Sequence, residues 1–147
     1  MNLMPGLQST ASALDAERLR MNVVAENIAN AYTTKTAEGT PYQRKIVTFE
    51  SVLTNAQAQS GSSSSADSTP IYGVQTGVVT DTTPGKTIYN PQHPDADAKG
   101  MVTMPNVEMS REMVDLIVSS RAYEANLQAA RTARTMAKDA MTLGSKS

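Results

Sequence analysis

Apolar residues recur at helical spacing from the start of the chain. Only Arg18 interrupts a series with steps of three and four residues, which consists of Met4, Leu7, Ala11, Leu14, Met21, Ala25 and Ile28. This is the heptad spacing of a helix that packs along another helix, and it predicts a helix over residues 4–32. Pro5 is tolerated only in a first turn, which places the helix start near Met4–Gly6.

The same pattern returns near the other end of the chain. Apolar residues again follow at steps of three and four, with Ser120 and Arg134 as the exceptions. They are Met109, Met113, Leu116, Tyr123, Leu127, Ala130, Ala137 and Met141. A second, longer helix is therefore predicted over residues 106–143. Asn106 is the predicted N-cap and Gly144 the predicted residue just beyond the C-terminus.

The intervening segment has a different pattern. Alternating, β-branched runs predict strands at Tyr42–Phe49, Val74–Thr80 and Lys86–Tyr89, and a serine-rich run predicts a flexible loop at 57–69. The fold class is therefore α+β: long N- and C-terminal helices packing as a coiled-coil-like pair, with a small irregular β-rich insertion. The predicted parts are an N-terminal assembly helix at 1–33, a middle domain at 34–105 and a C-terminal assembly helix at 106–147.

Both helices carry apolar residues on a second side. Off the main seam lie Leu19, Val23 and Val24 in the first helix, and Val114, Val118, Ala122, Ala125 and Ala129 in the second. Two apolar sides indicate neighbours on two sides, more than one short chain supplies. A Met/Leu/Ala stripe is also common in ordinary protein cores, and that alternative stays open.

Composition narrows the function classes. Cysteine is absent, which excludes disulfides, thiolate metal sites and a cysteine nucleophile. A net charge of −1 gives no electrostatic reason to expect a nucleic acid or an anionic membrane as partner. No stretch approaches the roughly 20 apolar residues of a membrane span, and no cleavable signal peptide is visible.

Two long segments resemble a known family. Leu14–Thr33 (LDAERLRMNVVAENIANAYT) resembles the N-terminal signature of the bacterial flagellar rod and hook proteins, and Gly100–Leu127 (GMVTMPNVEMSREMVDLIVSSRAYEANL) resembles their C-terminal signature. The link Tyr89–Gly100 and the short chain are typical of the family's proximal rod subunits. The resemblance implies export by the flagellar type III apparatus without cleavage. It also implies helical polymerisation in a periplasm-crossing, torque-carrying rod of the basal body, with other rod proteins and adjoining basal-body components as partners.

The expected interface with sister subunits lies on the two helices. Asn27 and Asn30 lie off the seam, so their amides are candidates for bonds to a neighbour, although Asn30 is equally suited to capping its own helix. Arg18 and Arg134 are expected to pair with Asp15, Glu17 or Glu124 of the same or an adjacent chain. The predicted interface consists of Met4, Leu7, Leu14, Arg18, Met21, Ala25, Asn27, Ile28, Asn30, Met109, Met113, Leu116, Tyr123, Asn126, Leu127, Ala130, Arg134 and Met141.

No catalytic constellation is predicted. His93 is the single histidine, so neither a catalytic triad nor a zinc site is expected. Asp95 and Asp97 suit turn capping better than calcium binding, because no calcium-loop pattern surrounds them. We therefore predict a structural protein rather than an enzyme, with no cofactor and no metal. The alternative is a type III-secreted helical adaptor or effector that binds one partner without polymerising.

Overall fold

The computed structural model describes residues 4–54 and 71–144, and the side chains of residues 9–51 and 73–144. Two long helices flank a set of strands in sequence and pack together, which confirms the predicted α+β fold. The predicted serine-rich loop at 57–69 lies outside the described residues. The elements are α1 (Met4–Ala29), β1 (Lys45–Thr54), β2 (Ile71–Thr80), β3 (Thr87–Tyr89), β4 (Met101–Thr103) and α2 (Met109–Gly144).

α1 begins where the sequence predicts, with Pro5 in its first turn, and ends at Ala29 rather than at residue 32. Just beyond that end, the Asn30 side-chain amide donates a hydrogen bond to the Glu26 carbonyl oxygen at 2.9 Å. The carbonyl groups of a last helical turn have no partner within the helix, so this bond satisfies one of them. Asn30 therefore caps its own helix, one of the two roles considered for it.

α2 begins at Met109, three residues later than predicted. The prediction that Asn106 caps this helix is wrong, because both halves of its amide are engaged elsewhere. Its Oδ1 accepts a hydrogen bond from the Arg44 backbone N–H at 2.7 Å, and its Nδ2 donates to the Asp81 carbonyl oxygen at 2.9 Å. At the other end, Gly144 is the last residue of the helix rather than the residue that follows it.

The strands form two two-stranded sheets, β1–β2 and β3–β4. The three predicted strands are present, β1 being shifted towards the C-terminus, and β4 is a strand that the sequence did not predict. β3 and β4 pair antiparallel, with Ile88 opposite Val102. Gly100 closes their connection at a φ of 73°, in the left-handed region that favours glycine, and its carbonyl oxygen accepts a hydrogen bond from the Asn90 N–H.

Gly85, between β2 and β3, packs against the backbone that leads into α2. A Cβ atom at this position would lie 1.8 Å from the Met104 carbonyl oxygen. The Met104 N–H also donates a 2.8 Å hydrogen bond to the carbonyl of Lys86. Glycine is required here because no side chain fits between these two stretches of backbone.

The chain divides into two compact units. The first consists of Met1–Arg18, Phe49–Gly77 and Ser120–Ser147, and the second of Leu19–Thr48 and Val78–Ser119. The assignment of 1–33, 34–105 and 106–147 as separate functional parts stays a prediction. In the described ranges, neither helix combines the length and apolar character that membrane crossing requires.

The second unit has a small apolar core. Its members come from α1, from the segment after α1 and from β4, and they are Val23, Val24, Ala31, Tyr42 and Val102. So few apolar side chains bury little area, and hydrophobic burial scales with area. Polar contacts must therefore contribute much of what holds this unit in one arrangement.

Candidate assembly surface

Asn27 of α1 lies at the centre of the second unit and is fully buried. Its Nδ2 donates hydrogen bonds to the Lys45 carbonyl oxygen and to Glu112 Oε2, each at 2.9 Å. Its Oδ1 accepts from the Tyr42 hydroxyl at 3.0 Å and from the Lys45 N–H at 2.9 Å. A side-chain amide has two donors and two acceptor lone pairs, so every hydrogen-bonding position of Asn27 is occupied within the chain.

Glu112 of α2 is the second fully buried polar side chain. Besides the bond from Asn27, its Oε1 lies 2.5 Å from Arg44 Nε. Arg44 Nη2 also lies 3.4 Å from Asp115 Oδ2, and Arg20 Nη2 of α1 lies 3.8 Å from Asp115 Oδ1. Burying a carboxylate is costly unless it is paired and hydrogen-bonded, and both conditions are met here.

Asn106 connects this group to the strands. Its amide bonds to the Arg44 N–H and to the Asp81 carbonyl oxygen. The backbones of Arg44 and Asp81 are also bonded directly, because the Asp81 N–H donates to the Arg44 carbonyl oxygen at 2.7 Å. Hydrogen bonds from the hydroxyl and the N–H of Thr83 lower the pKa of the Asp81 carboxyl. We call Asn27, Tyr42, Arg44, Asn106 and Glu112 the polar network. It joins α1, the start of β1 and the start of α2.

Tyr42 completes the network beside Asn27. Its side chain is buried and its hydroxyl donates to Asn27 Oδ1. Burial, followed by the negative charges of Glu26 and Glu112, raises the pKa of Tyr42 to about 12. The phenol therefore stays protonated and keeps its donor through the physiological range.

The opposite side of α2 is apolar and exposed. Met113, Val114, Ile117 and Val118 are 54%, 59%, 56% and 49% exposed, although they lie within two turns of one helix. We call these four residues the aliphatic face. Several large aliphatic side chains grouped on one exposed surface are typical of a protein–protein contact.

α1 exposes a different kind of surface. Within the second unit its exposed positions are Asn22, Ala25 and Ala29, followed after the helix end by Tyr32, which is 73% exposed. These positions follow one another at steps of three and four, so they lie on one side of the helix. We call Asn22, Ala25 and Ala29 the small face.

Comparison with known proteins links these helices to a family. The family described as "Flagella basal body rod protein" matches residues 7–35, and "Flagellar basal body rod FlgEFG protein C-terminal" matches residues 98–143. The chain is 38% identical to the flagellar basal-body rod protein FlgC of Bacillus subtilis, over 94% of this chain and 95% of the relative. The corresponding figures are 39%, 90% and 91% for FlgC of Escherichia coli O6:H1, and 38%, 88% and 87% for FlgC of Aquifex aeolicus.

The chain belongs to the FlgC family of flagellar basal-body rod proteins. The resemblance inferred from the two terminal segments is thereby confirmed. The two matched segments cover residues 7–29 of α1, all of β4 and residues 109–143 of α2. Asn27 lies in the first segment and Glu112 in the second, and they meet at 2.9 Å although 85 residues separate them.

The predicted interface residues occupy different environments in this FlgC-family chain. Asn27 is buried with all its bonds made internally, so its amide has no free group to offer a neighbour. The side chains of Met4 and Leu7 lie outside the described ones, and the intersubunit role of the remaining residues stays a prediction. The exposed members are Arg18, Ala25, Met113, Arg134 and Met141, and the half-buried ones are Leu14, Met21, Ile28, Asn30, Met109, Leu116, Tyr123, Asn126, Leu127 and Ala130.

Arg18 and Arg134 were expected to form ion pairs with nearby carboxylates. Among the side chains described, neither guanidinium forms an ion pair with Asp15, Glu17 or Glu124. Both arginines are exposed. Pairing with an adjacent chain remains a prediction for both.

The His93 region forms a turn. The Asp95 N–H donates to His93 Nδ1 at 3.1 Å, and Asp97 Oδ1 accepts hydrogen bonds from the N–H groups of Lys99 and Met101 at 2.8 and 2.9 Å. These carboxylate contacts are those of turn residues. No group of three or more potential metal ligands is found among residues 4–54 and 71–144.

Tyr42, Arg44 and Glu112 are site residues that the sequence pattern did not predict. A local signal was present, because Glu112 and Asp115 interrupt an apolar stretch of α2 at a spacing of three residues. That spacing places both carboxylates on one helix side, opposite the aliphatic residues. Nothing in the sequence indicates which side faces inwards, since the partner residues are distant in the chain.

Proposed function

We propose that this chain is a structural subunit of the proximal rod of the bacterial flagellum and not an enzyme. In this proposal it polymerises through α1 and α2 with copies of itself and with other rod and basal-body proteins, and the polymer transmits torque. The observation that carries the proposal is the exposed aliphatic face of α2, in a chain that belongs to a family of rod proteins.

The two sides of α2 suit the two tasks of such a subunit. A drive shaft must keep the orientation of its parts under load, and directional hydrogen bonds and ion pairs such as those of Glu112 define orientation better than apolar contact does. A polymer must also form many contacts of one kind, and exposed aliphatic residues provide the area for them. The polar network supports the first requirement and the aliphatic face the second.

Export and location follow from the same proposal. The subunit passes through the flagellar type III apparatus without cleavage of a signal peptide, and it resides in the rod where the rod crosses the periplasm. Terminal helices that expose apolar surface favour this route, because they pack fully only after the subunits meet at the growing end.

Genetic replacement tests the proposal. The gene is deleted from its own host, the chain or a variant is supplied from a plasmid, and swimming and the protein content of purified basal bodies are measured. We expect the unaltered chain to restore swimming and to appear in basal bodies. We expect Ile117→Asp to lower both by about tenfold or more, because a charge in a packed apolar contact costs over about 1.4 kcal/mol.

A matched control separates the aliphatic face from general damage. Ile88 of β3 is 50% exposed, close to the 56% of Ile117, so Ile88→Asp makes the same chemical change at a surface outside the helices. This variant should swim normally. The proposal fails if the unaltered chain never enters basal bodies, or if it is recovered only as a monomer bound to one unrelated protein, as an adaptor would be.

A further inference from the structure

His93 lies in the loop that joins β3 to β4, and its ring helps to shape that loop. Its Nδ1 accepts a hydrogen bond from the Asp95 N–H at 3.1 Å. Its backbone carbonyl oxygen accepts a second bond from the Ala96 N–H at 3.0 Å. An imidazole nitrogen accepts a hydrogen bond only while it carries no proton. The observed turn is therefore made with the neutral form of His93.

Asp95 connects this loop to the segment that follows α1. Its Oδ2 accepts a hydrogen bond from the Thr34 hydroxyl at 2.7 Å, although 61 residues separate the two in the chain. No other hydrogen bond joins the loop to that segment within the described part of the chain. A cavity of about 340 Å³ lies between them, with Lys35 on the segment and Pro94 on the loop among its lining residues. The Thr34–Asp95 bond is therefore a main connection between the two.

The carboxylate that binds Thr34 also faces His93. Asp95 Oδ2 lies 4.0 Å from His93 Nδ1, and both side chains are about one-third exposed. A proton on Nδ1 would remove the acceptor of the Asp95 N–H and direct a positively charged donor at the carboxylate. The imidazolium is a stronger partner for a carboxylate than the neutral Thr34 hydroxyl is. To reach the 2.7–2.9 Å of such a bond, the two groups must approach by about 1 Å.

The surrounding contacts determine which part of the chain can move. The segment after α1 is held on its other side, because the Thr33 N–H donates to the Asn30 carbonyl oxygen at 3.0 Å and the Thr33 carbonyl accepts from the Tyr42 N–H at 3.1 Å. The second half of the loop is held by Asp97, whose Oδ1 accepts hydrogen bonds from two backbone N–H groups. Residues 90–96 are therefore the part that can shift when Asp95 changes its partner.

We propose that Thr34, His93 and Asp95 form a pH-sensitive latch, in which protonation of His93 transfers the Asp95 carboxylate from Thr34 to the imidazolium and releases residues 90–96 from the segment after α1. Histidine is the side chain that changes charge between pH 5 and 8, so the change falls in that range. Lys35 and Asp97 line the same cavity as Asp95, and their charges also bear on its carboxylate. The latch lies outside the two helices and goes beyond the proposed rod function, on which it does not depend.

A pH titration of the purified full chain by NMR tests the latch. His93 is the single histidine, so its ring signals are unambiguous. Between pH 8 and pH 5 we expect the His93 ring, the Asp95 amide and the Thr34 methyl signals to change with one midpoint. The protection factor of the Asp95 amide against exchange should fall about three- to tenfold, because its hydrogen bond is lost. His93→Asn keeps an acceptor that cannot be protonated, so in this variant the Asp95 and Thr34 signals should stay at their pH 8 positions.

A second variant tests the competition for the carboxylate. Thr34→Val removes the hydroxyl with little change of shape, which leaves Asp95 available to His93. Binding couplings are reciprocal, so the midpoint of the His93 ring titration should rise by about half a pH unit for a threefold coupling. Thr40→Val makes the same replacement at an exposed threonine of the same segment and should leave the midpoint unchanged.

Three results would overturn the inference. The first is a His93 ring that titrates while the Thr34 signals stay fixed, because the carboxylate would then keep its first partner. The second is an unchanged Thr34 titration in His93→Asn, because another group would then be responsible. The third is an equal midpoint in Thr34→Val and the unaltered chain, because the two donors would then not compete. None of these results bears on whether the chain enters the rod.

Discussion

In the first turns of α2 the polar side is buried and the apolar side is exposed, which reverses the usual arrangement of an amphipathic helix. The side that faces the chain's own interior carries Glu112 and Ser119, both fully buried, and the half-buried Asp115. The side that faces outwards carries the aliphatic face. In a surface helix of an ordinary globular protein the apolar side is the buried one. In this part of the helix the polar side makes the internal contacts and the apolar side is exposed, which is the arrangement that the proposed assembly requires.

Magnitudes support this division. The four residues of the aliphatic face are about half exposed, and covering the rest would contribute about 3–6 kcal/mol in total, at 1.5–3 kcal/mol for each full side chain. That is a substantial share of the free energy of a modest protein–protein contact, and a polymer repeats it at every subunit. The following substitutions test the two sides separately.

The largest effect is expected on the inner side, at Glu112. Glu112→Ala removes the shorter of the two carboxylate contacts of the largely buried Arg44, leaving only the 3.4 Å contact to Asp115, and it removes an acceptor from Asn27. We expect the free energy of unfolding to fall by about 3–5 kcal/mol in urea titrations. Glu108→Ala, at an exposed glutamate just before α2, should change it by less than about 0.5 kcal/mol. A loss below about 1 kcal/mol at Glu112 would mean that the network adds little.

Asn27→Ala should have the next largest effect. The substitution removes four hydrogen bonds and leaves the backbone groups of Lys45 and the Tyr42 hydroxyl without partners. We expect a loss of about 2–4 kcal/mol, since each unsatisfied buried group costs about 1–3 kcal/mol and water relieves part of it. Thermal or urea unfolding measures the loss. Asn22→Ala, on the exposed side of the same helix, is the control and should be nearly neutral; equal losses at both positions would contradict the inner-side assignment.

Tyr42 gives the network a dependence on alkaline pH. Folding raises its pKa from the ordinary 10.0 to about 12, so the folded chain holds the phenolic proton more tightly than the unfolded chain does. This contribution to stability is complete below pH 10 and is lost as the pH rises towards 12. Tyr42→Phe should therefore lose less stability than the unaltered chain between these pH values. Tyr32→Phe, at an exposed tyrosine, should leave the pH profile unchanged, and identical profiles for all three proteins would refute this account.

The smallest effect on stability is expected on the outer side. Val118→Ser should change the free energy of unfolding of the monomer by no more than about 0.5 kcal/mol, because the side chain contacts little of its own chain. Val23→Ser makes the same replacement at a buried valine and should cost about 1–3 kcal/mol. If the two losses, measured in parallel urea titrations, were equal, the aliphatic face would belong to the monomer's own core.

Much of the fold could be predicted because it depends on local pattern. The start of α1 follows from Pro5, and the strand at Val74–Thr80 follows from β-branched alternation. β4 was missed because three residues next to Gly100 carry too little pattern. Asn106 was misassigned because an asparagine before an apolar run resembles an N-cap, whereas here its amide has partners in Arg44 and Asp81 that are distant in sequence.

The inward side of each helix could not be predicted from the apolar pattern. The pattern favours Met21, Ala25 and Ile28 as the buried seam of α1, but Val23, Val24 and Asn27 are the buried residues at that end. A prediction from hydrophobic periodicity requires that the more apolar side of a helix pack on the chain's own core. That assumption fails where a buried amide and a buried carboxylate find each other across 85 residues, because no local property of the sequence encodes such a meeting.

Gly85 has a consequence for how the orientation of α2 is set. A Cβ atom added at position 85 would lie 1.8 Å from the Met104 oxygen, so even one methyl group would push that carbonyl aside. Met104 leads through the buried Pro105 to the first turn of α2, so a displacement there would act at the base of a helix about 54 Å long, at 1.5 Å per residue. Any side chain at position 85 would therefore reorient the turn that presents Glu112 to Asn27 and Arg44 within the same unit.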